Sequence, residues 1–324
     1  MKQTNIMKQN TKLTQLCQIL MVTITMATQF VSNESFSLSL PGCKNTCGKV
    51  EIPYPFGISN SSIANQVRCY LEPKFELTCE NNSKLFWTNI PVTNINSLQG
   101  QLKVLNYVSN YCHNTNSTSS TLPSLDTANT FSISPKENKF LTVGCDSYGY
   151  LNSIYDNETY STGCLTRCHG NRNRIENGTC SGIGCCQVDI PPKMRNITIE
   201  SFDFLNSTET LGCSSYSFVA QNGFYNFSVS DLHKFPHTEV PMILDWSVGS
   251  KNCKASKGEH DYACKKNSVC DDNKDIDFGY RCKCKDGFDG NPYLPDGCKG
   301  ILIHLHIVIF CLQNHPLKIT LSIY

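Results

Sequence analysis

The chain has 324 residues, with 28 Lys and Arg against 27 Asp and Glu for a formal net charge of +1, and a pI near 7.4. That balance excludes the whole-chain basic field on which nucleic-acid binders rely, so recognition of any anion has to be local. Only 17% of residues are charged and 20 are cysteine, a composition foreign to a cytosolic protein and natural to a glycan-coated, disulfide-held one of two or three domains.

At the amino terminus Lys2, Lys8 and Lys12 precede an apolar run from Leu13 to about Val31, with the small residues Ala27 and Ser32 where a peptidase could cut. Gln15, Gln18 and Gln29 interrupt or border the run, and a spanning helix needs about 20 predominantly apolar residues. Residues 1–32 therefore read as a signal peptide. Its cleavage removes Cys17 and leaves Cys311 as the odd cysteine.

Strand signals dominate the next two hundred residues, and no stretch keeps a 3.6-residue apolar period for three turns. KFELTCE puts Phe75, Leu77 and Cys79 on one side, QLKVL pairs Leu102 with Val104, and NITIESFDFL alternates Ile197 with Ile199 before Phe202 and Phe204. SPKEN (Ser134 to Asn138) separates FSI from KFLTV as a hairpin turn would. The Ser/Thr/Asn run Asn114 to Ser124 and the stretch Phe235 to Pro241 read as linkers. The expected fold is mostly β and disulfide-rich, with small β domains in series at 38–112 and 113–240, a six-cysteine module at 250–298, and an apolar tail at 299–324.

Twelve cysteines lie from Cys43 to Cys213 and six from Cys253 to Cys298, so each block can close on itself. Zinc is the competing use of clustered cysteine, but structural sites favour CxxC knuckles or Cys/His sets, and the chain has no CxxC. Asn-x-Ser/Thr tripeptides begin at Asn33, Asn60, Asn81, Asn116, Asn157, Asn177, Asn196, Asn206 and Asn226, which with the cysteines point to the secretory pathway. After Gly300 the tail ILIHLHIVIFCL is too short to span a bilayer and contains His304 and His306; no polar spacer precedes it, as a lipid-anchor signal requires.

The CxC step at Cys282 and Cys284, followed by a Gly-aromatic turn, resembles an EGF-like module, and the resemblance implies the pairs Cys253 with Cys270, Cys264 with Cys282, and Cys284 with Cys298. LPGCKNTCGKVEIPYPFGI (Leu40 to Ile58), CYLEPKFELTC, QLKVLNYVSNYC, NKFLTVGCDSYGY, NGTCSGIGCCQVDIP, VPMILDWSV and GYRCKCKDGFDGNPYLPDGC together resemble the extracellular region of plant wall-associated receptor kinases, over roughly Leu40 to Cys298. Residues 38–112 then correspond to the galacturonan-binding domain. Such receptors continue into a second EGF-like module, a membrane span and a kinase, whereas here Lys299 and Gly300 lead into the tail. The expectation is a truncated ectodomain, secreted to the cell wall, with a tail from unspliced or out-of-frame coding sequence. Full-length relatives would sit at the plasma membrane.

The resemblance implies binding of pectin, as homogalacturonan or oligogalacturonides, with no catalytic activity; any protein co-receptor is unidentified. An unesterified polyuronate asks for spaced cationic donors and aromatic faces. Lys44, Lys49, Arg68, Lys74, Lys84 and Lys103 are the candidate donors, near Tyr54, Phe56, Phe86 and Trp87; the aromatics of IPYPFG fit core or turn packing better than sugar platforms. Arg167, Arg172 and Arg174 form a second basic cluster. No cofactor is expected. Calcium at the EGF-like module is disfavoured: Asp275 occupies a ligand position, but Lys251 and Asn252 stand where acidic ligands should precede Cys253.

A secreted decoy or structural glycoprotein is the alternative by class, and a wall-modifying hydrolase ranks below both. Asp245, His237 and Ser247 form no triad signature, and the spacing of Asp189, Asp203 and Glu209 singles out no carboxylate pair. Asp277-Phe278-Gly279 spells a kinase motif without the accompanying loops, and Gly182-Ile183-Gly184 lacks the third glycine of a dinucleotide fingerprint.

Overall fold

A computed structural model describes residues 38–59, 68–114, 117–127, 130–155, 158–168, 175–204, 212–272 and 278–300. The signal-peptide segment, tail residues 301–324, Cys17, Cys311, the sequons at Asn33, Asn60, Asn116, Asn157 and Asn206, and Arg172, Arg174, Glu209 and Asp275 lie outside the described residues. The fold is mostly β and disulfide-rich. In chain order its first strands are β1 (Thr46–Cys47), β2 (Val50–Glu51), β3 (Gly57–Ile58), β4 (Glu76–Glu80), β5 (Lys84–Trp87), β6 (Ile90–Asn96) and β7 (Gln101–Tyr107). They are followed by β8 (Ser109–Asn114), β9 (Ser117–Ser120), β10 (Ser124–Leu125), β11 (Phe131–Ile133), β12 (Asn138–Gly144), β13 (Ser147–Tyr155) and β14 (Glu158–Leu165). The remainder are β15 (Cys185–Asp189), β16 (Ile197–Asp203), β17 (Gly212–Gln221), β18 (Glu239–Trp246), β19 (Ser268–Asp271), β20 (Arg281–Cys284), β21 (Phe288–Asp289) and β22 (Lys299–Gly300). One short helix, α1 (Cys253–Ser256), opens the six-cysteine module, with Asn252 accepting from the Ala255 N–H as its cap.

Alternation sets the faces of the meander β4 to β7. Leu77, Leu85, Val92, Leu102 and Val104 are buried, and Leu85, Val92, Val104 and Met242 stand opposite one another in a single cross-strand row. The resulting sheet has the order β11-β18-β7-β6-β5-β4-β3, so residues 57–107 are hydrogen-bonded to 131–133 and 239–246. Its core is aromatic: Phe56 meets Phe75 at 5.1 Å and Trp246 at 5.4 Å, both edge-on, and Trp87 meets Phe131 at 4.4 Å.

Three sequence expectations are corrected here. FSI and KFLTV form no hairpin: β11 pairs with β18, while β12 lies in another sheet, β15-β12-β17-β8-β9. All three residues of β11 are buried, as befits a strand covered on both faces rather than one arm of a half-solvated hairpin. Asn138 builds the corner by donating to the Ser134 and Ile243 carbonyls at 2.7 and 2.8 Å and accepting from the Ile243 N–H at 2.9 Å. The two stretches read as linkers are also structured. Ser117 to Ser120 form edge strand β9, and Phe235 is buried against Tyr216, with 4.7 Å between ring centroids, just ahead of β18. The apolar run VPMIL in β18 marks a strand buried on both sides.

A third sheet, β10-β16-β13-β14, packs on the β12-β17-β8 region through small residues. Ser201 of β16 meets Ser215 of β17 at 2.6 Å and accepts from Ser217 of β17 at 3.3 Å. A Cβ on Gly149 would stand 2.1 Å from the Ser217 hydroxyl, so only glycine permits this approach. Disulfides join Cys43–Cys69, Cys47–Cys79, Cys112–Cys213, Cys145–Cys168, Cys164–Cys186 and Cys180–Cys185. The EGF-like module closes as Cys253–Cys270, Cys264–Cys282 and Cys284–Cys298, the order that the resemblance implies. Both blocks are self-contained.

The EGF-like module is docked on the first sheet. Val248 and Tyr280 exchange backbone hydrogen bonds at 2.9 and 3.0 Å, and Tyr293 packs on Trp246 at 5.7 Å. Arg281 donates to the Trp246 and Gln99 carbonyls at 2.7 and 2.8 Å, lying over Gly100, where a Cβ would stand 2.4 Å from its Nε. Asn291, 2% exposed, donates to the Leu38 and Tyr54 carbonyls at 2.9 and 2.6 Å. Asn291→Ala leaves both carbonyls without that donor and should cost about 1–3 kcal/mol in denaturant unfolding of the disulfide-intact protein.

Burial raises the Tyr293 and Tyr280 phenols above their ordinary value, while the Cys282 and Ala263 N–H groups that they accept offset part of the rise. Phenols held protonated in the fold contribute stability that is complete below the unfolded tyrosine pKa of about 10 and is lost as pH climbs beyond it. Thermal midpoints should therefore fall above about pH 10, and Tyr293→Phe should flatten that slope.

Candidate functional site

The six candidate cations do not converge on one site. β1 and β2 form a tight hairpin whose turn, Gly48 and Lys49, abuts the turn Asn81 to Ser83 between β4 and β5: the Gly48 N–H donates to the Asn82 carbonyl at 2.9 Å. Cys47–Cys79 staples the two hairpins. Lys44 donates to the Asn82 side-chain carbonyl at 2.6 Å, and Lys84 begins β5 at the same turn. Lys44, Lys49 and Lys84 are thus gathered around one turn, with Glu80 directly across from Lys84. Lys103 lies two strands away. It alternates with buried Leu102 and Val104, as Lys84 precedes buried Leu85, so both side chains belong to the outward face.

Arg68 and Lys74 sit elsewhere. Lys74 is paired with Glu72 at 3.1 Å and lies 5.3 Å from the Phe278 ring of the EGF-like module; Glu72 in turn accepts the Gly249 N–H at 3.0 Å. The Arg68 guanidinium stands 5.0 Å over Tyr70. Burial raises the Tyr54 phenol, and the neighbouring Arg68 charge offsets part of that rise.

Tyr54, Phe56 and Trp87 are buried, and Trp87 donates its indole N–H to the Lys74 carbonyl at 3.0 Å, so they offer no ring face to a ligand. Phe86, between buried Leu85 and Trp87, points outward and is half-buried. Sequence reasoning overlooked Tyr107, which is 56% exposed on the outward set of β7 together with Lys103; the alternation in QLKVLNY was the available signal.

In the second basic cluster Arg167 stacks over Phe204 at 4.0 Å and donates to Asp146 at 3.4 Å. The side chains weighed for catalysis have other partners. Asp245 pairs with Arg281 at 3.5 Å, and Ser247 donates to the Phe278 carbonyl. His237 stands among Phe224, Tyr225 and Phe235. Asp203 holds His113 at 2.6 Å and Ser214 at 2.7 Å, and Asp189 holds Lys139. Among the described residues no three Asp, Glu, His or Cys side chains gather as metal ligands; Lys251 is bonded to Glu259 and Asn252 caps α1. Of the sequons in view, Asn81, Asn177 and Asn226 are exposed, whereas Asn196 is half-buried and accepts the Thr127 N–H at 3.0 Å. No helix among the described residues is long and apolar enough to cross a membrane.

These features define a disulfide-stapled, mostly β region with a docked EGF-like module. Residues 43–106 match the family model for wall-associated receptor kinase galacturonan-binding, and residues 177–255 match that for wall-associated kinase. The chain is 37% identical over 266 residues to wall-associated receptor kinase 2 of Arabidopsis thaliana and 36% over 267 residues to wall-associated receptor kinase 5, in each case 80% of this chain and 34% of the relative. Wall-associated receptor kinase-like 10 is 27% identical over 320 residues, covering 80% of this chain and 39% of the relative. No solved structure matches. The chain belongs to the wall-associated receptor kinase family and spans about a third of the length of these two curated relatives, wall-associated receptor kinases 2 and 5.

The docked geometry gives Lys74 a structural task. Lys74→Gln removes the pair with Glu72 and the cation over Phe278, and should lower the thermal midpoint slightly. The exposed-pair component is worth about 0–1 kcal/mol. Retention on an anionic polysaccharide should stay near wild type, in contrast to substitutions at Lys44 or Lys84.

Proposed function

We propose that this chain is an extracellular, non-catalytic binding region for pectin, and that it holds unesterified homogalacturonan through Lys44, Lys49 and Lys84 with Lys103 along the same outward surface. The observation that carries this reading is the gathering of three lysines around the Asn81 to Ser83 turn within residues 43–106, the segment matched by the galacturonan-binding model. Lys74 serves the edge next to the EGF-like module, and Arg68 stands over Tyr70.

A polyuronate suits such an arrangement because one exposed ion pair contributes only about 0–1 kcal/mol. Several lysines meeting successive carboxylates add up without any single strong contact. The interaction is then screened over about 10 Å at 0.1 M salt, and methyl esterification removes the charge each lysine addresses. The partners already held by Asp189, Asp203 and Asp245 support a binding rather than a hydrolytic role. Exposed sequons and paired cysteines support a secreted, wall-facing location.

Retention on immobilised polygalacturonate, compared with fully methyl-esterified pectin over a salt series, tests the reading. Binding should favour the unesterified polymer, weaken with salt, and fall stepwise in Lys44→Gln, Lys49→Gln and Lys84→Gln combinations. Lys254→Gln and Lys257→Gln in the EGF-like module should leave it unchanged. Equal retention of both polymers at high salt would contradict the proposal, and release of reducing ends from the polymer would contradict its non-catalytic part.

A further inference from the structure

The outward face of the sheet formed by β16, β13 and β14 is laid out in cross-strand rows. At one end Phe202, Tyr148 and Leu165 stand side by side; in the middle row Tyr150 lies between Glu200 and Gly163; beyond it Asn152 faces Ser161. The rings form a continuous shelf, with Tyr148 stacked on Phe202 at 5.2 Å and meeting Phe204 at 4.7 Å and Tyr150 at 5.6 Å. Tyr150 is 43% exposed, Phe204 40% and Leu165 49%. The shelf bounds an open groove of about 610 Å³. Gly163 keeps it open, since a Cβ there would touch the Tyr150 ring at 3.1 Å. Solvated monomers rarely leave so much contiguous aromatic surface uncovered without a use for it.

The polar groups beside the rings indicate what the shelf accommodates. Glu200 accepts from the Asn152 amide at 2.9 Å, and Ser161 donates to the Asn152 carbonyl at 2.6 Å, giving a strip of carboxylate, amide and hydroxyl along one flank. Arg167, over Phe204, is matched by Asp146 at 3.4 Å. The face therefore presents one carboxylate beyond its matched charges, which disfavours an anionic polymer. An apolar protein surface would bury Glu200 and Asn152 at a cost. A neutral pyranose chain fits both halves: its C–H faces lie on the electron-rich ring faces, and its hydroxyls meet Glu200, Asn152 and Ser161. The geometry points to a second carbohydrate site on this face, for a neutral hexose or pentose oligosaccharide, independent of the lysine cluster.

Titration calorimetry of the full secreted chain with cellohexaose, β-1,4-galactohexaose and xylohexaose at high salt tests this. At least one should bind, about tenfold more weakly in Tyr150→Ala, a loss of about 1.4 kcal/mol, and similarly in Gly163→Val. The combined Lys44, Lys49 and Lys84 glutamine variant should bind it as wild type does. Hydroxyl-radical footprinting of the unmodified chain supplies a readout free of folding effects: the bound oligosaccharide should protect Tyr148, Tyr150 and Phe202. Absence of binding by all three probes, binding without that protection, or binding unchanged in both groove variants would overturn the inference. So would a concentration-dependent dimer abolished by Tyr150→Ala, which would assign the face to self-association.

Discussion

Trp246 has no exposed surface, and its ring is enclosed by Phe56, Phe75 and Tyr293 at 5.4, 5.6 and 5.7 Å. These partners come from the segments just ahead of β3 and β4 and from the EGF-like module. Burying an aromatic side chain of this size is among the largest single contributions to a core. The strand that carries it, β18, is thereby held between β7 and β11, which closes the first sheet and sets where the module docks. Arg281 completes the arrangement by binding the Trp246 carbonyl and Asp245, so the backbone around the indole is fixed from both sides.

Two devices extend that order through a chain with modest apolar content. Disulfides hold the hairpins on which small domains would otherwise fray, and Cys112–Cys213 joins strands 101 residues apart in sequence, the kind of long loop whose closure removes most entropy from the unfolded chain in the simplest model. Between the second and third sheets the contact is instead polar. Serine hydroxyls satisfy one another across an interface that Gly149 keeps narrow, so buried hydroxyls cost little there.

The same framework sorts the charges. Lysines on tight turns and outward strand positions face away from the core, whereas Lys74, Asp245 and Arg281 are drawn into the junction with the EGF-like module. A surface divided this way can present a local cationic patch although the whole chain is nearly neutral, and can keep the aromatic face of the third sheet apart from it.

Strand faces were legible in the sequence because alternation is a property of neighbouring residues: Leu102 with Val104, and Ile197 with Ile199, are buried as their spacing predicts. Cysteine parity likewise allowed each block to close on itself, as the disulfides do. The pairing of β11 with β18 instead of a hairpin at Ser134 to Asn138, the structure of Phe235 to Pro241, and the separation of Lys74 from the other candidate cations were not legible. In each case the outcome depends on partners far along the chain: Ile243 for Asn138, β7 for β18, and Phe278 with Glu72 for Lys74. Local pattern determines which way a side chain points on its strand; which strands become neighbours, and which charges meet, is decided only when distant segments bury a common core around Trp246.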